Sequence, residues 1–368
     1  MGWVTPLGHD VATVWAALLA GRSGVGKISR FDAETFRTDF AAEVRGYSPP
    51  ADLPHPEQHA HAGLNAQFAL GAAAQAYAQA GLAKARINPR RFGLYLGSGE
   101  GSLDFENYVG AHLAGWDATA RHVNGAAWAK AAYQLMSPEK EIEQEANMTL
   151  SHVAWAFGCR GPASNCLTAC AASIQAIGEA CEILHRGDAD VMFAGGAHTM
   201  IHPLGVTGFI RLTALSSRKD EYTTVPRPFD QTRDGFVMGE GAGMLVIETE
   251  EHARARGATP LAEIAGYGSS ADAFRITDMH PEGEGPRAAM AAALKQAGVN
   301  PRERDAQGRP PVQYISAHGT GTKENDKIET AAAKALFGSL APEIPMSSIK
   351  SMMGHLIAAA GVSNVITA

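Results

Sequence analysis

Short apolar runs that often end in glycine alternate along this chain with longer, alanine-rich segments of helical pattern. Residues 92–97, 190–195 and 243–248 are apolar runs of strand length, and the helical stretch 171–185 precedes the second of them. Strands that alternate with helices are typical of α/β folds whose sheets are covered by helices. The alternation therefore predicts an α/β architecture for the first part of the chain.

The same alternation continues to the end of the chain. We expect strands over residues 312–317 and 345–349, and helices over residues 250–256, 327–337 and 356–360. Two segments depart from the pattern. Residues 111–147 carry no strand signal and predict helices or a long loop over the core, whereas the polar residues 301–311 predict an exposed loop.

Composition excludes several classes of protein. Of the 368 residues, 45% are hydrophobic and 19% are charged, which is an ordinary globular balance and argues against disorder. The net charge of −7 gives no basic footprint for nucleic acid. The sequence contains no apolar run of membrane-spanning length, no signal-peptide start and no myristoylation pattern. We therefore expect a soluble, cytoplasmic protein without a membrane span.

All four cysteines lie between Cys159 and Cys181. A long chain without a signal peptide favours free thiols over disulfides. The spacing C-x6-C-x3-C-x10-C differs from the paired cysteine knuckles of structural zinc sites, so we expect no metal. Buried packing is the ordinary role of an unpaired cysteine, and we assign it to Cys159, Cys166 and Cys181.

Cys170 differs from the other cysteines in its position. Residues 165–168 predict a short strand and residue 171 begins a strong helix, so Cys170 lies at a turn between the two. The free N–H groups and the dipole at a helix N-terminus favour thiolate, which predicts a lowered thiol pKa. The same N–H groups can bind an oxyanion on a thioester carbonyl. Cys170 is therefore our candidate nucleophile.

Two histidines occupy similar settings farther along the chain. His318 follows a predicted strand in the run AHGTGT, and His355 ends the run KSMMGH before an alanine-rich segment. Each histidine adjoins a glycine, which lets the backbone bend and a ligand approach closely. Together with Cys170, they indicate a catalytic set. By contrast, His55, His59 and His61 stand in a polar, proline-flanked stretch, where we expect solvated side chains.

Four motifs occur in a fixed order: residues 168–173 (TACAAS), 227–243 (RPFDQTRDGFVMGEGAG), 317–322 (AHGTGT) and 350–355 (KSMMGH). With them the chain resembles the β-ketoacyl-acyl-carrier-protein synthases, and the synthase II group most of all. The likeness runs from residues 4–8 (VTPLG) to the last residue. It implies a thiolase-like fold of two pseudo-duplicated halves, with stacked mixed sheets and helices between and outside them. Residues 1–250 and 251–368 would form the two halves, and two chains would form a homodimer.

The resemblance also implies the reaction, which is a decarboxylative condensation in fatty acid biosynthesis by a 3-oxoacyl-[acyl-carrier-protein] synthase. Cys170 would take an acyl group from acyl carrier protein. His318 and His355 would bind the thioester carbonyl of malonyl-carrier protein, and the resulting enolate would attack the acyl-cysteine. Lys350 would support the histidines. No metal or cofactor is implied, because the phosphopantetheine arm arrives on the carrier protein.

Further positions match the family's substrate contacts. The resemblance places Thr320 and Thr322 against the phosphopantetheine arm, Thr277 near the entrance of that arm and Phe236 beside the reacting carbons. Glu100 stands in a turn where synthase II enzymes usually carry an apolar residue that lines the acyl pocket at the dimer interface. A buried carboxylate there requires a partner, or else the pocket is short, polar or differently shaped.

The resemblance also implies that the chain lacks parts of the family's fold. It begins within the first strand and stops inside the helix after His355, so we expect an incomplete C-terminal half, without the glycine-rich gating loop and poorly active alone. Two alternatives stay open. One is a polyketide-type ketosynthase with a different acyl substrate, and the other is a non-catalytic partner subunit like the chain-length factors. The presence of Cys170 with both histidines argues against the second.

Overall fold

The computed structural model describes residues 1–219, 221–276 and 278–368. The structure has strands before and after residue 250, but the long ones all lie before it. They are β1 (Gly2–Val4), β2 (Gly26–Lys27), β3 (Phe40–Ala41), β4 (Phe92–Ser98), β5 (Trp116–Asp117), β6 (His122–Val123), β7 (Ala163–Cys166), β8 (Val191–His198), β9 (Gly241–Glu248), β10 (Ile315–Ser316) and β11 (Met346–Ser347).

Helices separate most of these strands, as the sequence predicts. They are α1 (Val11–Leu19), α2 (Leu64–Gln79), α3 (Phe105–Gly115), α4 (Gly125–Leu135), α5 (Pro138–Ile142), α6 (Met148–Phe157), α7 (Ala172–His185), α8 (Pro203–Arg211), α9 (Glu250–Ala255), α10 (Glu284–Gln296), α11 (Lys323–Phe337), α12 (Lys350–Met353) and α13 (Ala360–Thr367). The predicted α/β architecture is confirmed.

One five-stranded sheet organises the first part of the chain, in the order β1-β9-β8-β4-β7. The pairs β4–β7 and β4–β8 are parallel, whereas β8–β9 and β1–β9 are antiparallel. Every residue of β8 is buried, which fits its near-continuous apolar sequence. Because β4, β7 and β8 run in parallel, their carboxyl ends meet at one edge of the sheet.

Helices cover both faces of this sheet. On one face, α2 and α6 enclose an apolar cluster that includes Phe68, Leu94 and Phe193. On the other face, α7 and α13 enclose a second cluster that includes Ile177 and Val362. Since α13 belongs to the last residues of the chain, this second cluster joins the end of the sequence to the central sheet.

The second part of the chain holds a smaller parallel pair, β10–β11, at whose carboxyl ends the motifs AHGTGT and KSMMGH begin. An apolar cluster beneath it joins α11 to α10 through Phe337 and Met290. Gly319 and Gly354, beside the two histidines, have φ of +41° and +69°. Both values lie in the left-handed region, where glycine has no steric penalty, so the expected bends next to the histidines are present.

Several boundaries differ from prediction. The strand predicted over 312–317 shrinks to β10, and the strand predicted over 165–168 lies earlier, at β7. Residues 111–147 form the end of α3, a short hairpin of β5 and β6, and helices α4 and α5. Backbone pairing sets these limits: β10 has only two paired positions with β11, and hydrophobic runs alone do not reveal that.

Candidate active site

The turn that carries Cys170 is tight. After β7 ends at Cys166, a single 3-10 turn, Ala169–Ala171, leads directly into α7. Ala169 has φ of +49°, a left-handed conformation that is strained for a residue with a β-carbon. Strain of this kind persists only where the surrounding structure enforces it, and here it positions the thiol at the head of the helix.

His355 contacts the thiol directly. Its Nε2 lies 2.9 Å from Sγ of Cys170, and its Nδ1 accepts a hydrogen bond from the backbone N–H of Ile357 at 3.1 Å. Burial, together with the charge of Lys350, lowers the pKa of His355 well below its ordinary value, so the ring is neutral. A neutral imidazole that accepts at Nδ1 carries its proton on Nε2. His355 therefore donates to the sulfur.

His318 completes the set from the neighbouring strand end. Its ring centroid lies 5.2 Å from that of His355, with the two planes nearly perpendicular. Burial and the charge of Lys350 lower the pKa of His318 to about 3, so this ring is also neutral. Reactive atoms of Cys170, His318 and His355 all lie within 4.8 Å of one another. The structure thus brings together the three residues that the sequence singles out.

Lys350 lies beneath the histidines and is 3% exposed. Its Nζ donates to the backbone carbonyl of His318 at 2.6 Å. Burial lowers the pKa of Lys350 to about 8, and the negative charge of Glu329 opposes that change. At neutral pH the ammonium group is charged, and it anchors the loop that holds His318.

Glu329, on α11, is a supporting residue that our sequence analysis missed. Its two carboxylate oxygens accept from the backbone N–H groups of His318 at 2.6 Å and of Gly319 at 2.8 Å. Burial raises the pKa of Glu329, while these hydrogen bonds act in the opposite direction. The run KENDKIE, just after the AHGTGT motif, places Asn325 and Glu329 one helical turn apart and so indicates a polar helix face, but it does not indicate that this face meets His318.

The pKa of the Cys170 thiol differs from the expectation from sequence. Burial raises its pKa, and the charge of Lys350 and a hydrogen bond from the residue's own backbone N–H lower it by less. The prediction of a lowered pKa at the helix N-terminus is therefore wrong. The reason is that Cys170 packs against an apolar cluster that includes Phe236 and Ile357, and such surroundings disfavour the thiolate.

A thiolate and two imidazoles form a donor set that Zn²⁺ accepts elsewhere in proteins. In this structure the buried ammonium group of Lys350 lies close enough to lower the pKa of both histidines and of the thiol. A fixed positive charge at that range disfavours a second cation. The expectation that the site needs neither metal nor cofactor stays a prediction.

The positions predicted to bind substrate fall into different places. Phe236 is buried and lies edge-on to His355, with ring centroids 5.2 Å apart. The hydroxyls of Thr320 and Thr322 lie 2.9 Å apart, and Thr322 lines a recess of about 480 Å³ that Arg275 also lines. Thr277 lies outside the described residues.

Glu100 is exposed in the single chain, so the buried carboxylate considered from the sequence is not observed there. Its backbone carbonyl accepts from Nδ2 of Asn65 at 2.7 Å, and its charge acts on His202. The turn that carries it follows β4, which pairs with β7. Glu100 therefore lies near the carboxyl ends of these strands, as the turn that carries Cys170 does, and it is on the surface of the protomer.

The remaining cysteines are free thiols, as expected. Cys159 and Cys181 are buried, and burial raises the pKa of the Cys159 thiol to a value far from neutrality. Cys166 is half-buried, and its Sγ lies 3.2 Å from the carbonyl of Ala172. These environments are those of packing residues.

His59 differs from the expectation of a solvated side chain. Its Nδ1 lies 2.9 Å from Nδ1 of His152, whose Nε2 lies 2.9 Å from a carboxylate oxygen of the buried Glu143. Burial lowers the pKa of His59. Residues nearly a hundred positions apart form this contact, and neither local polarity nor neighbouring proline reveals it.

Comparison with known proteins defines the class. Residues 1–253 match the family described as "Beta-ketoacyl synthase, N-terminal domain", and residues 261–368 match "Beta-ketoacyl synthase, C-terminal domain". The chain belongs to the β-ketoacyl synthase family and is a condensing enzyme of the acyltransferase type. The predicted family and its thiolase-like fold are confirmed.

Individual relatives and solved structures are similar to this chain over nearly its whole length. The chain is 39% identical to "3-oxoacyl-[acyl-carrier-protein] synthase 2" of Coxiella burnetii, over 98% of this chain and 81% of that protein. Among solved structures, a β-ketoacyl synthase from Burkholderia phymatum STM815 superimposes with a TM-score of 0.85 at 33% identity, over 99% of this chain and 83% of that one. A type II polyketide ketosynthase, solved in complex with its acyl-carrier protein and bound to the hexaketide, gives a TM-score of 0.80 at 32% identity over 99% and 83% of the two chains.

Proposed function

We propose that this protein is a 3-oxoacyl-[acyl-carrier-protein] synthase that extends a cysteine-bound acyl chain with malonyl-acyl-carrier protein. The observation that carries the proposal is the group formed by Cys170, His318 and His355, whose reactive atoms lie within 4.8 Å of one another. A thiol at the N-terminus of a helix can hold an acyl group as a thioester, and two neutral imidazoles beside it can stabilise an enolate oxygen. The 39% identity to 3-oxoacyl-[acyl-carrier-protein] synthase 2 supports it.

In the first half-reaction, the sulfur of Cys170 attacks the thioester carbonyl of an acyl-carrier protein as the thiolate. The carbonyl electrons move to oxygen, and the backbone N–H at the helix head donates to that oxygen. The carrier's thiolate then leaves and takes up the proton released from Cys170. The products are an acyl-cysteine and a free carrier thiol.

In the second half-reaction, malonyl-carrier protein occupies the same place. Its C–CO₂ bond breaks, CO₂ departs and the electron pair forms an enolate, whose oxygen accepts hydrogen bonds from Nε2–H of His318 and His355. The enolate carbon attacks the acyl-cysteine carbonyl, and the C–S bond breaks. The product is a 3-oxoacyl-carrier protein, with Cys170 restored as thiolate. Neutral imidazoles suit this role because they donate without delivering a proton.

The two alternatives are less well supported. A polyketide-type ketosynthase shares the fold, but the relatives that are 39% identical over 98% of this chain carry the name 3-oxoacyl-[acyl-carrier-protein] synthase 2. A chain-length-factor-like subunit does not need the nucleophile, whereas this chain places Cys170 within 2.9 Å of His355.

Acyl carrier protein is the proposed partner in both half-reactions. The phosphopantetheine arm would enter beside Thr320 and Thr322, whose hydroxyls suit its amide groups. The recess of about 480 Å³ next to Thr322 carries Arg275, which pairs with Asp278 at 2.9 Å and is a cation of the kind that binds a phosphate group. A solved relative is bound to its acyl-carrier protein, which supports this partner.

A homodimer is the proposed assembly. Strand β7 lies at the edge of the central sheet, and its first two residues are exposed. Unpaired strand edges invite pairing with another chain. Leu167, the residue just after β7, is 52% exposed and extends this surface. A second copy seated there would cover both β7 and the nearby turn of Glu100.

We propose the cytoplasm as the location, where carrier-protein substrates are available. None of the described helices is long and apolar enough to cross a membrane.

Mass spectrometry tests the proposed function. The protein is incubated with acyl-carrier proteins of graded chain length, and the modified residue is mapped before malonyl-carrier protein is added. We expect an acyl adduct on Cys170 that disappears in Cys170→Ala, and a 3-oxoacyl product after the second substrate. Modification of Cys159, Cys166 or Cys181 in place of Cys170 would overturn the assignment.

Substitution of the histidines separates the two half-reactions. His318→Ala and His355→Ala should retain some acyl transfer to Cys170, less in His355→Ala because that ring donates to the sulfur, but lose condensation by about a hundredfold or more, as expected for loss of an oxyanion donor. His9→Ala, at a histidine far from the site in sequence, serves as the control. Full condensation in either active-site variant would refute that histidine's role.

A further inference from the structure

Three titratable side chains that the proposed reaction does not use lie beyond His355. They form what we call the polar row: His198, His202 and Glu100. Burial and then the neighbouring His202 lower the pKa of His198, burial lowers the pKa of His202 while Glu100 raises it, and His198 is among the groups that add to the effect of burial on the pKa of His355. The row therefore extends from the reacting histidine to the turn that follows β4.

Contacts place the row firmly against that turn. A β-carbon at Gly99 would stand 2.2 Å from Nδ1 of His198, so the backbone of the turn passes directly over this ring. The ring of His202 lies 6.2 Å from that of Phe105, the first residue of α3. Asn65 holds the carbonyl of Glu100. The segment between β4 and α3 thus covers His198 and itself supplies Glu100.

His198 is a buried histidine whose ring nitrogens are unpaired within the described residues. It ends β8, is 1% exposed, and neither ring nitrogen has a hydrogen-bond partner among the residues that the structure describes. Buried polar groups are nearly always hydrogen-bonded, so each exception requires an explanation. Burial lowers the pKa of His198 to about 3, which leaves a neutral ring with one donor and one acceptor.

His202 and Glu100 add polar groups at the far end. Nδ1 of His202 accepts from the backbone N–H of Gly205 at 3.4 Å, as an N-cap of α8, which leaves Nε2 for another partner. Glu100 contributes acceptor oxygens and is exposed in the protomer. A second copy over β7 would cover it, and a covered carboxylate is strongly unfavourable without a hydrogen-bond donor.

The apolar cluster that holds Cys170 reaches this row through the segment between its two histidines. Met200 and Ile201 lie between His198 and His202 in the sequence, and both pack in the cluster that contains Phe236 and Cys170. An acyl chain held on Cys170 and running along this cluster would end among the polar row. A plain alkyl chain would leave these donors and acceptors unpaired, whereas a hydroxyl group both donates and accepts.

We propose that the polar row selects acyl chains that carry a hydroxyl group on their distal part. This inference rests on the proposed function and names its substrate class. The hydroxyl would bind between the imidazoles of His198 and His202 and donate to the carboxylate of Glu100. Sites built to hydrogen-bond a substrate hydroxyl discriminate strongly against the analogue that lacks it.

A paired substrate series tests this selection. Alkanoyl-carrier proteins of graded length compete with the ω-hydroxyalkanoyl-carrier proteins of the same length, and condensation products are quantified by mass spectrometry. We expect at least one length at which kcat/KM favours the hydroxylated chain by about tenfold or more. Glu100→Ile should reduce that preference to about twofold or reverse it, and Glu303→Ile, in an exposed loop, should not.

A second variant keeps the inference testable if Glu100→Ile does not fold. His202→Asn retains an N-cap residue for α8 and removes the second ring nitrogen, so it should fold and lose part of the preference. Condensation of alkyl chains with no preference for hydroxyl at any length would overturn the inference and leave the proposed function intact. Failure to condense any chain would instead refute the proposed function, and the inference with it.

Discussion

The imidazole of His355 donates a hydrogen bond from Nε2 to Sγ of Cys170 over 2.9 Å, because the backbone N–H of Ile357 occupies its other nitrogen. A ring held in this tautomer cannot accept the thiol proton. The charge of Lys350 and the residue's own backbone N–H lower the pKa of Cys170, and the hydrogen bond from Nε2–H of His355 also stabilises the thiolate. Burial opposes all three.

The first prediction concerns the pH dependence of this thiol. Because only the thiolate is nucleophilic and burial raises the pKa of Cys170, the thiolate fraction should still be rising at neutral pH. We expect alkylation of Cys170 by iodoacetamide to accelerate by about tenfold per pH unit from neutrality towards the pKa. Peptide mass spectrometry across pH measures this rate, and a plateau already at neutral pH would contradict the raised pKa.

The second prediction concerns Lys350→Met. The substitution removes the charge that lowers the thiol pKa and the donor that holds the carbonyl of His318 at 2.6 Å. We expect the alkylation profile of Cys170 to move to higher pH and condensation to fall by about tenfold or more, as for loss of a charged hydrogen bond. Lys295→Met, at an exposed lysine, is the control. An unchanged alkylation profile would show that Lys350 does not act on the thiol.

The third prediction concerns Glu329→Gln. Two backbone N–H groups, those of His318 and Gly319, donate to this carboxylate, and an amide offers only one acceptor oxygen. An unpaired N–H costs about 1–3 kcal/mol, so condensation should fall by about tenfold while acylation of Cys170 persists. Equal loss of both half-reactions would instead indicate general unfolding.

Glu329 also predicts a pH effect. Burial raises its pKa, so the carboxylate takes up a proton at higher pH than an ordinary glutamate as the solution is acidified. Condensation by the wild type should therefore decline on acidification, whereas Glu329→Gln already resembles the protonated form and should decline less. Steady-state rates across pH compare the two profiles, and parallel profiles would argue against titration of Glu329.

The fourth prediction concerns assembly. If the edge strand β7 forms the dimer interface, a charge at the exposed Leu167 should separate the two copies. We expect Leu167→Glu to sediment as a monomer at micromolar concentration. Leu19→Glu, at a leucine that is 72% exposed at the end of α1, should remain a dimer like the wild type. A monomeric wild type would refute the homodimer.

Much of this structure could be predicted from the sequence, because local patterns carried the information. The apolar runs at β4, β8 and β9 are long and uninterrupted, and the helix after Cys170 is rich in alanine and ends at a basic, glycine-containing turn. The glycines beside His318 and His355 indicated bends, and both adopt positive φ. Motif order then identified the family.

The rest depends on contacts between distant parts of the chain. The pKa of Cys170 follows from apolar side chains that only tertiary packing places around it, such as Phe236. His59 reaches His152 across a separation of 93 positions. The support that Glu329 gives to His318 depends on which side of α11 faces the loop. Local sequence patterns do not specify such contacts.

The fifth prediction concerns Gly99, in the turn between β4 and α3. A β-carbon at this position would stand 2.2 Å from Nδ1 and 2.7 Å from Cε1 of His198, and β8 holds that ring in the core. Neither atom is the free end of a flexible side chain, so the turn or the ring must shift. We expect Gly99→Ala to lower the free energy of unfolding by about 1–3 kcal/mol, as overpacking does.

Gly125→Ala is the matched control for this substitution. Gly125 is the first residue of α4, and a β-carbon there would meet no atom within 4 Å. Alanine is the better helix former, so this variant should be as stable as the wild type or slightly more stable. Urea denaturation followed by circular dichroism gives both free energies. If Gly99→Ala proves as stable as Gly125→Ala, then the turn yields easily, and the close contact between this segment and His198 does not constrain the polar row.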